Sequence, residues 1–295
     1  MRKYFIIISI LILVYFLSGK DNSSIKTENK RIETDNLIVN MSNYGLENIL
    51  LSEYLNGVIA CEMPALFHDE AIKAGIVAAR TFYLYKYESD NDYKPSNGDQ
   101  CFFSESKRKE NWRDNYELYN EKILNNINLT KNEVITYNGS VIKAFYFSMS
   151  NGYTEDAVNV FKKSEPYLVS VISDYDKNVK NNLSSKSISV NEFKEKLNVD
   201  NDIVINNIVR DSSNRVSEIV INNVNYDGVY FRKLFDLRST DFEIEFNDQE
   251  VIITTRGYGH GVGMSQWGAN EMAKMGYEYK DILKYYYKDV EIMYK

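Results

Sequence analysis

The chain of 295 residues reads as an α+β protein. Three observations predict this class. Apolar residues recur with a helical period between Glu47 and about Tyr87; from Asn132 the period changes to two; and helices and strands come in blocks, not in the strand–helix alternation of a parallel sheet. The expected form is a helical segment packed on antiparallel strands, with a smaller α/β subdomain.

The elements follow in order. Met1-Arg2-Lys3 precedes an apolar run from Tyr4 to Leu17, the pattern of an export signal or a short membrane anchor. The run is shorter than the roughly 20 residues of a comfortable spanning helix. It has no nearby cysteine to lipidate and no Ala-x-Ala-like cleavage site, so an uncleaved anchor over 1–19 is favoured, with the bulk of the chain outside the cytoplasm at the cell membrane. Residues 20–36, rich in Lys, Asn, Glu, Ser and Thr, read as a disordered tether. Leu37 to Met41 is a short β-type run. Leu51, Tyr54, Leu55, Val58 and Ile59 form a helical stripe within Glu47–Met63, ended by Pro64, because proline disfavours the helical conformation in the residue before it. Asp69 to about Tyr87 is a second helix, whose Ala71, Ala74, Gly75, Ala78 and Ala79 allow close packing.

Asn91 to Asp99 is a polar loop, and Asn111 to Asn126 a further helix. Val134–Tyr137 and Val141–Phe147 flank Asn138-Gly139, the signature of a hairpin. Ser148-Met149-Ser150-Asn151-Gly152 is a turn rich in hydroxyls, and Asp174 to Ser187 a polar linker. The smaller subdomain, 176–240, is expected to hold helices at Val190–Leu197 and Gly228–Phe235 and strands at Ile203–Arg210 and Val216–Ile221; 37–175 and 241–295 make the core domain. The strand Val251–Thr255 and a helix from Ser265 to Met275, closed by Gly276, flank the alternating glycines of Arg256-Gly257-Tyr258-Gly259-His260-Gly261-Val262-Gly263.

Composition narrows the chemistry. A net charge of −7 without a dense Lys/Arg stripe argues against a nucleic-acid partner. His-Glu-x-x-His is absent, and two histidines leave too few ligands for a zinc hydrolase; no metal or cofactor is expected. Cys61 and Cys101 have no CxxC partner. Free thiols are the first expectation, a disulfide the second, and a zinc site with His68 the third, since no fourth ligand is visible. The glycine run fails the dinucleotide spacing and lacks the Lys-Ser/Thr of a phosphate loop. Glycine at every second position leaves one side of the backbone bare, open to another backbone or a ligand.

Glu62 ends an apolar helix just before a proline bend. Partial burial beside Ile59 and Met63 would raise its pKa, which suits a general acid; the plainer reading is a solvated glutamate. Lys73 and Arg80 lie seven apart on one helix face, about 10 Å along the axis. Arg80 follows Ala78-Ala79 and is expected to be partly buried and paired, with Glu62 its natural partner; the plainer reading is two surface cations.

Five motifs then stand in order: Tyr54-Leu55-x-Gly57-Val58-x-x-x-Glu62-Met63-Pro64; Glu70-Ala71-x-Lys73-Ala74 with Ala78-Ala79-Arg80-Thr81; Phe147-Ser148-x-Ser150-x-Gly152-x-Thr154-Glu155; Leu237-Arg238-Ser239-Thr240-x-Phe242; and Gly257 to Ala269. Together they resemble the SpoIID/LytB family of cell-wall proteins over nearly the whole chain beyond the tether. The resemblance implies a peptidoglycan lytic transglycosylase acting on glycan strands during sporulation engulfment, beside a cell-wall amidase and a membrane protein. It implies that Glu62 is the catalytic acid and that Lys73 and Arg80 orient it or bind sugar. Tyr258, His260, Ser265, Gln266, Ser148 and Ser150 are the expected substrate-binding residues, with Tyr258 and His260 on one wall of the groove near Glu62. The chain departs from the family where Phe147-Ser148-Met149-Ser150-Asn151-Gly152 replaces a commoner His-Ser-Thr-x-Gly-Gly run, and where Cys61 stands in place of a common alanine. The rival expectation is a non-catalytic wall-binding enhancer of an amidase.

Overall fold

The computed structural model describes residues 33–247 and 249–295, so the expected anchor and most of the expected tether lie outside the described residues. Strands β1 (Ile38–Val39) and β2 (Ile49–Leu50) pair antiparallel and lead into helix α1 (Leu51–Glu62). Pro64 ends α1 as expected: Met63 is extended, at φ −129° and ψ 138°. Helix α2 (Asp69–Ser89) starts at His68, whose side chain accepts the Glu70 N–H, and buries Ala71 through Leu84 on almost every face except that of Lys73. Its Gly75 lies so close to Met63 that a Cβ there would sit 2.2 Å from the Met63 sulfur. The close helix packing expected from the small residues of α2 is thus realised against the end of α1.

The single helix expected at 111–126 is two, α3 (Glu105–Trp112), capped by the Ser104 hydroxyl, and α4 (Tyr116–Leu129), with a 3-10 turn between them. The expected hairpin forms from β3 (Glu133–Tyr137) and β4 (Ser140–Val141), with Asn138 and Gly139 at φ 49° and 77°. Two left-handed residues in a row match the right-handed twist of the strands. The second arm ends early: β5 (Tyr146–Phe147) leaves the hairpin, and β6 (Gly152–Tyr153), helix α5 (Ala157–Phe161) and β7 (Ile172–Ser173) follow.

The stretch Asp174–Ser187, expected as a linker, contributes strand β8 (Leu183–Ser189). Its serines face solvent on one side, so composition conceals the strand, and the pairing of the Ser185 and Thr254 hydroxyls at 2.9 Å uses them as cross-strand partners. Helix α6 (Val190–Leu197), strands β9 (Ile205–Arg210), β10 (Val216–Ile221) and β11 (Val224–Asp227), and helix α7 (Gly228–Leu234) come next. Then come β12 (Phe242–Phe246), β13 (Glu250–Arg256), β14 (Met264–Ser265), α8 (Gln266–Lys274), α9 (Tyr279–Tyr286) and β15 (Glu291–Tyr294). The sheets run β15-β3-β4, β12-β13-β8 and β11-β10-β9, all antiparallel, whereas β14 pairs parallel with β5. The α+β class is therefore observed. Two apolar clusters form: a large one around α1, α2, α4, α8 and α9, and a smaller one around Phe193, Phe231, Phe235, Phe242, Val251 and Ile253. Strands β12 and β13 bury Phe242, Val251 and Ile253 in the smaller cluster.

Two expectations about charge are corrected. Residues 34–36 form a 3-10 turn within the core, with Asp35 only 3% exposed. Arg80 has no exposed surface, and its partner is Asp35, not Glu62: Nε and Nη2 donate to the two Asp35 carboxylate oxygens at 2.6 and 3.1 Å, and Nη1 donates to the Glu133 carbonyl at 3.2 Å. The physical reason is that a buried guanidinium needs a planar, bidentate acceptor. The tether's last residues supply one, which polar composition gave no sign of. Removing either partner strands a buried charge, so Arg80→Ala and Asp35→Ala should each lower unfolding stability by about 3–5 kcal/mol, read from denaturant midpoints. Wild-type stability in both variants would refute the pairing.

Candidate active site

Glu62 occupies the C-terminal residue of α1, half-buried, where the Met63–Pro64 turn exposes the helix end. Its Oε1 accepts the Cys101 backbone N–H at 2.7 Å and its Oε2 accepts Gln266 Nε2 at 3.4 Å. Burial pushes its carboxyl above the ordinary range; the Cys101 amide and Gln266 pull it back only in part. The carboxyl borders an open cleft of about 210 Å³ whose lining includes Phe82, Asp99, Gln100, Phe145, Phe161 and His260. On its inner side it packs against Tyr146 and Gln266 with no room for a water.

The cleft is apolar on one part and polar on another. Phe145 and Phe161 stack at 4.5 Å, and His260 sets its edge against both, at 5.6 and 5.5 Å. His260 Nδ1 accepts the Val262 N–H at 3.0 Å. Burial, helped by the nearby Arg232 and Arg215, drives the His260 pKa down to about 3, so the ring is neutral at physiological pH. Asp99 is ionised: burial raises its pKa, but hydrogen bonds from Lys86 and Ser96 outweigh this and lower it. The buried Gln100 amide donates to the Tyr146 hydroxyl at 2.9 Å. Two carboxyl groups in one cleft are thus pushed in opposite directions, Glu62 toward the acid and Asp99 toward the anion.

Of the residues singled out from sequence, Glu62, Gln266 and His260 come together here, and Gln266 touches Glu62 itself. The others do not. Lys73 pairs with Glu70 at 2.6 Å, and its ammonium lies 5.7 Å from the Tyr279 ring centre; this cluster joins α2 to the start of α9. Arg80 has all its guanidinium nitrogens engaged in the core. Tyr258 is exposed and carries the Arg238 guanidinium at 4.4 Å, outside the cleft lining. Ser150 and Ser265 are buried and donate to Asp176 at 3.0 and 2.6 Å, while the Ser148 carbonyl accepts the Trp267 N–H at 3.1 Å. Asp176, read as part of a linker, is a fully buried hub. The alternating glycines answer to another backbone: a Cβ at Gly263 would lie 2.0 Å from the Phe145 carbonyl, and one at Gly259 2.8 Å from the Phe147 Cβ. The cysteine expectation is corrected too, since Cys61 and Cys101 form a disulfide. Their Cα atoms come within 5.6 Å because the 98–103 segment folds back over α1, an approach invisible at a sequence separation of 40. His68 caps α2 and so joins no zinc site with them.

Sequence reasoning missed Gln100, Asp99, Tyr146, Phe145 and Phe161. For Phe145, Tyr146 and Phe161 the only local signal was the density of aromatics between Phe145 and Phe161, which alone reads as core; Asp99 and Gln100 gave none.

The fold and cleft define an α+β protein organised around one half-buried acid at a helix end. The chain belongs to the SpoIID family of stage II sporulation proteins. A family profile described as "SpoIID: Stage II sporulation protein" matches residues 42–137. The "Stage II sporulation protein D" of Bacillus amyloliquefaciens is 40% identical over 262 residues, covering 85% of this chain and 76% of that protein. That of Bacillus subtilis (strain 168) is 38% identical with the same coverage. The "Amidase enhancer" of Bacillus subtilis (strain 168) is 29% identical over 290 residues, 79% of this chain and 39% of that protein. Among the described residues, no helix is long and apolar enough to cross a membrane.

The neutral His260 makes a prediction about pH. Its folded pKa is depressed below its unfolded value, so the unfolded chain takes up the proton first. Stability should therefore fall as pH drops from about 6.5 toward 3. His260→Gln should flatten that decline, measured as urea midpoints at pH 7 and pH 4.5. An unchanged decline would show that the ring is not the group responsible.

Proposed function

We propose that the chain is a peptidoglycan lytic transglycosylase that cuts the bond between N-acetylmuramic acid and N-acetylglucosamine in glycan strands. The observation that carries this reading is Glu62: a carboxyl group whose pKa burial raises, beside a cleft that offers aromatic rings to the apolar faces of sugars and amide and carboxylate groups to their hydroxyls. Glu62 gives its proton to the bridging oxygen as the C1–O bond breaks. The resulting carboxylate then takes the proton of the muramic 6-hydroxyl, whose oxygen bonds to C1, leaving a 1,6-anhydro end. The internal hydroxyl replaces water, and the acetamido group can steady the cation, so no second carboxylate need act as nucleophile or base. Asp99 is held ionised by Lys86 and can favour positive charge in the same cleft.

Action during sporulation agrees with the relatives' names. An apolar N-terminal anchor, a cell-membrane location outside the cytoplasm, and partnership with an amidase and a membrane protein belong to the same proposal. The disulfide suits an oxidising compartment. The second reading, a non-catalytic enhancer of an amidase, has the 29%-identical relative in its favour.

Glu62→Gln separates the two. The amide keeps the shape and cannot give the proton, so cleavage of peptidoglycan strands should fall by about 10²–10⁴-fold, with 1,6-anhydro ends lost from the products by mass spectrometry. The variant should stay folded and be at least as stable at pH 8, because a carboxyl whose folded pKa is raised weakens the fold once it ionises. Activity within tenfold of wild type would refute the acid role. Activity of the wild type should also fall as pH rises through the raised Glu62 pKa, since the protonated form is the acid. Phe161→Ala, which removes an aromatic ring 38% exposed in the cleft, should raise KM several-fold with kcat nearly unchanged, as expected for binding equal in ground and transition states.

A further inference from the structure

The shortest hydrogen bond to Glu62 comes from a residue that is covalently tied to the neighbour of Glu62. Cys101 donates its N–H to Oε1 at 2.7 Å, and its side chain is bonded to Cys61, the residue just before Glu62. The strand-like segment around it is also laid closely on α1. The Phe103 N–H donates to the Gly57 carbonyl at 3.0 Å, and the Phe102 ring fills the place a Cβ on Gly57 would occupy, 2.2 Å away. Phe102 stacks on Tyr54 at 5.7 Å. These contacts secure the segment downstream of Cys101. Upstream, Asn91 to Asp99 is mainly exposed polar chain. The disulfide acts at the junction, on the very residue whose amide faces the carboxyl.

We propose that the Cys61–Cys101 disulfide is a positioning element for Glu62, holding the Cys101 amide on the carboxyl so that the acid stays aimed into the cleft, and that cleavage therefore depends on the oxidised pair. The proposal rests on the reading of Glu62 as the acid. Asp99 and Gln100, two further residues of the cleft lining, directly precede Cys101; Gln100 is also held by Tyr54 and Tyr146, and Asp99 by Lys86. Cys101 itself touches no substrate in this scheme; it works through Glu62.

The direction of the effect follows from the contacts. The amide favours the charged carboxylate, so withdrawing it leaves burial less opposed, and the Glu62 pKa rises further. The other polar and titratable groups facing the carboxyl do not replace the amide. Gln266 reaches it only at 3.4 Å, Asp99 is tied to Lys86, His260 is neutral, and the Tyr44 and Tyr146 phenols are themselves pushed upward by burial, with Glu62 adding to the effect.

The test compares the oxidised protein, the same protein reduced with a phosphine, and Cys61→Ala/Cys101→Ala, each first shown to be folded at the assay temperature by its thermal melt. Two readouts are taken. One is the titration midpoint of the Glu62 carboxyl, from carbon-13 NMR of glutamate-labelled protein with Glu62→Gln for assignment. The other is kcat and KM on peptidoglycan strands. Breaking the link should raise the midpoint by about one pH unit and lower kcat about tenfold, with KM within about twofold. Reoxidation of the reduced sample should restore both. A lower melting temperature with an unchanged midpoint and unchanged kcat would overturn the proposal, since the disulfide would then be a stabiliser alone. A midpoint that moves while neither the oxidised nor the reduced protein cleaves strands would support the positioning and refute the acid role. The two ideas therefore fail separately.

Discussion

A charged guanidinium with no exposed surface sits in the middle of α2, and the arrangement of the main core follows from satisfying it. Arg80 draws in Asp35 from the N-terminal side and the Glu133 carbonyl from β3. The next residue continues the tie: the Thr81 hydroxyl donates to Val77 within the helix and accepts the Ile135 N–H. Strand β3 is flanked in turn by β15, and the C-terminal Lys295 donates its N–H to the Asn132 carbonyl. Both ends of the described chain are thus gathered on one buried charge. An apolar replacement of the whole group could be as stable, since desolvating two charges consumes most of what their attraction returns. What the pair supplies is a single permitted position for α2, because misplacing it leaves ions unpaired.

Once α2 is placed, the site follows through packing. Gly75 brings α2 onto Met63, and Pro64 forces the chain to turn there, so Glu62 is left at a helix end that cannot slide. Around it, burial and hydrogen bonding act in opposite senses. Burial makes the carboxyl a stronger proton holder, while the Cys101 amide and Gln266 favour its anion. Neither the protonated nor the charged form is therefore favoured by every contact. His260 is treated differently. With two arginines nearby and phenylalanines around it, it stays neutral and contributes a flat, weakly polar surface instead of a charge.

The glycine run does its work one layer behind the cleft. The chain from Gly257 to Gly263 crosses directly over Phe145 to Asn151, close enough that side chains would collide with the backbone below. This crossing sets the parallel pairing of β14 with β5 and starts α8, whose Gln266 reaches Glu62. Asp176 locks the crossing from beneath by accepting from Ser150, from its backbone N–H as well as its hydroxyl, and from Ser265. A buried carboxylate is tolerable there because several donors replace its lost water.

The resemblance of its motifs singled out Glu62, and by itself the sequence determined the α+β class, the helices read at Glu47–Met63 and Asp69 to about Tyr87, the Asn-Gly hairpin and the proline stop. Each of these rests on local rules: period, turn chemistry and the restriction before proline act within a few residues, so they are written into neighbouring letters. The tertiary structure alone decided the partners. That Arg80 belongs to Asp35 and not to Glu62, that Cys61 meets Cys101, that Ser150 and Ser265 serve a buried Asp176, and that Phe145, Phe161 and Asp99 line the cleft are all facts about residues brought together from afar. A polar stretch such as 33–36 or 183–189 looks like tether or linker whether or not a buried charge or a neighbouring strand awaits it. Composition records what a segment can do in water, and only the packed interior specifies which donors, acceptors and rings it must satisfy.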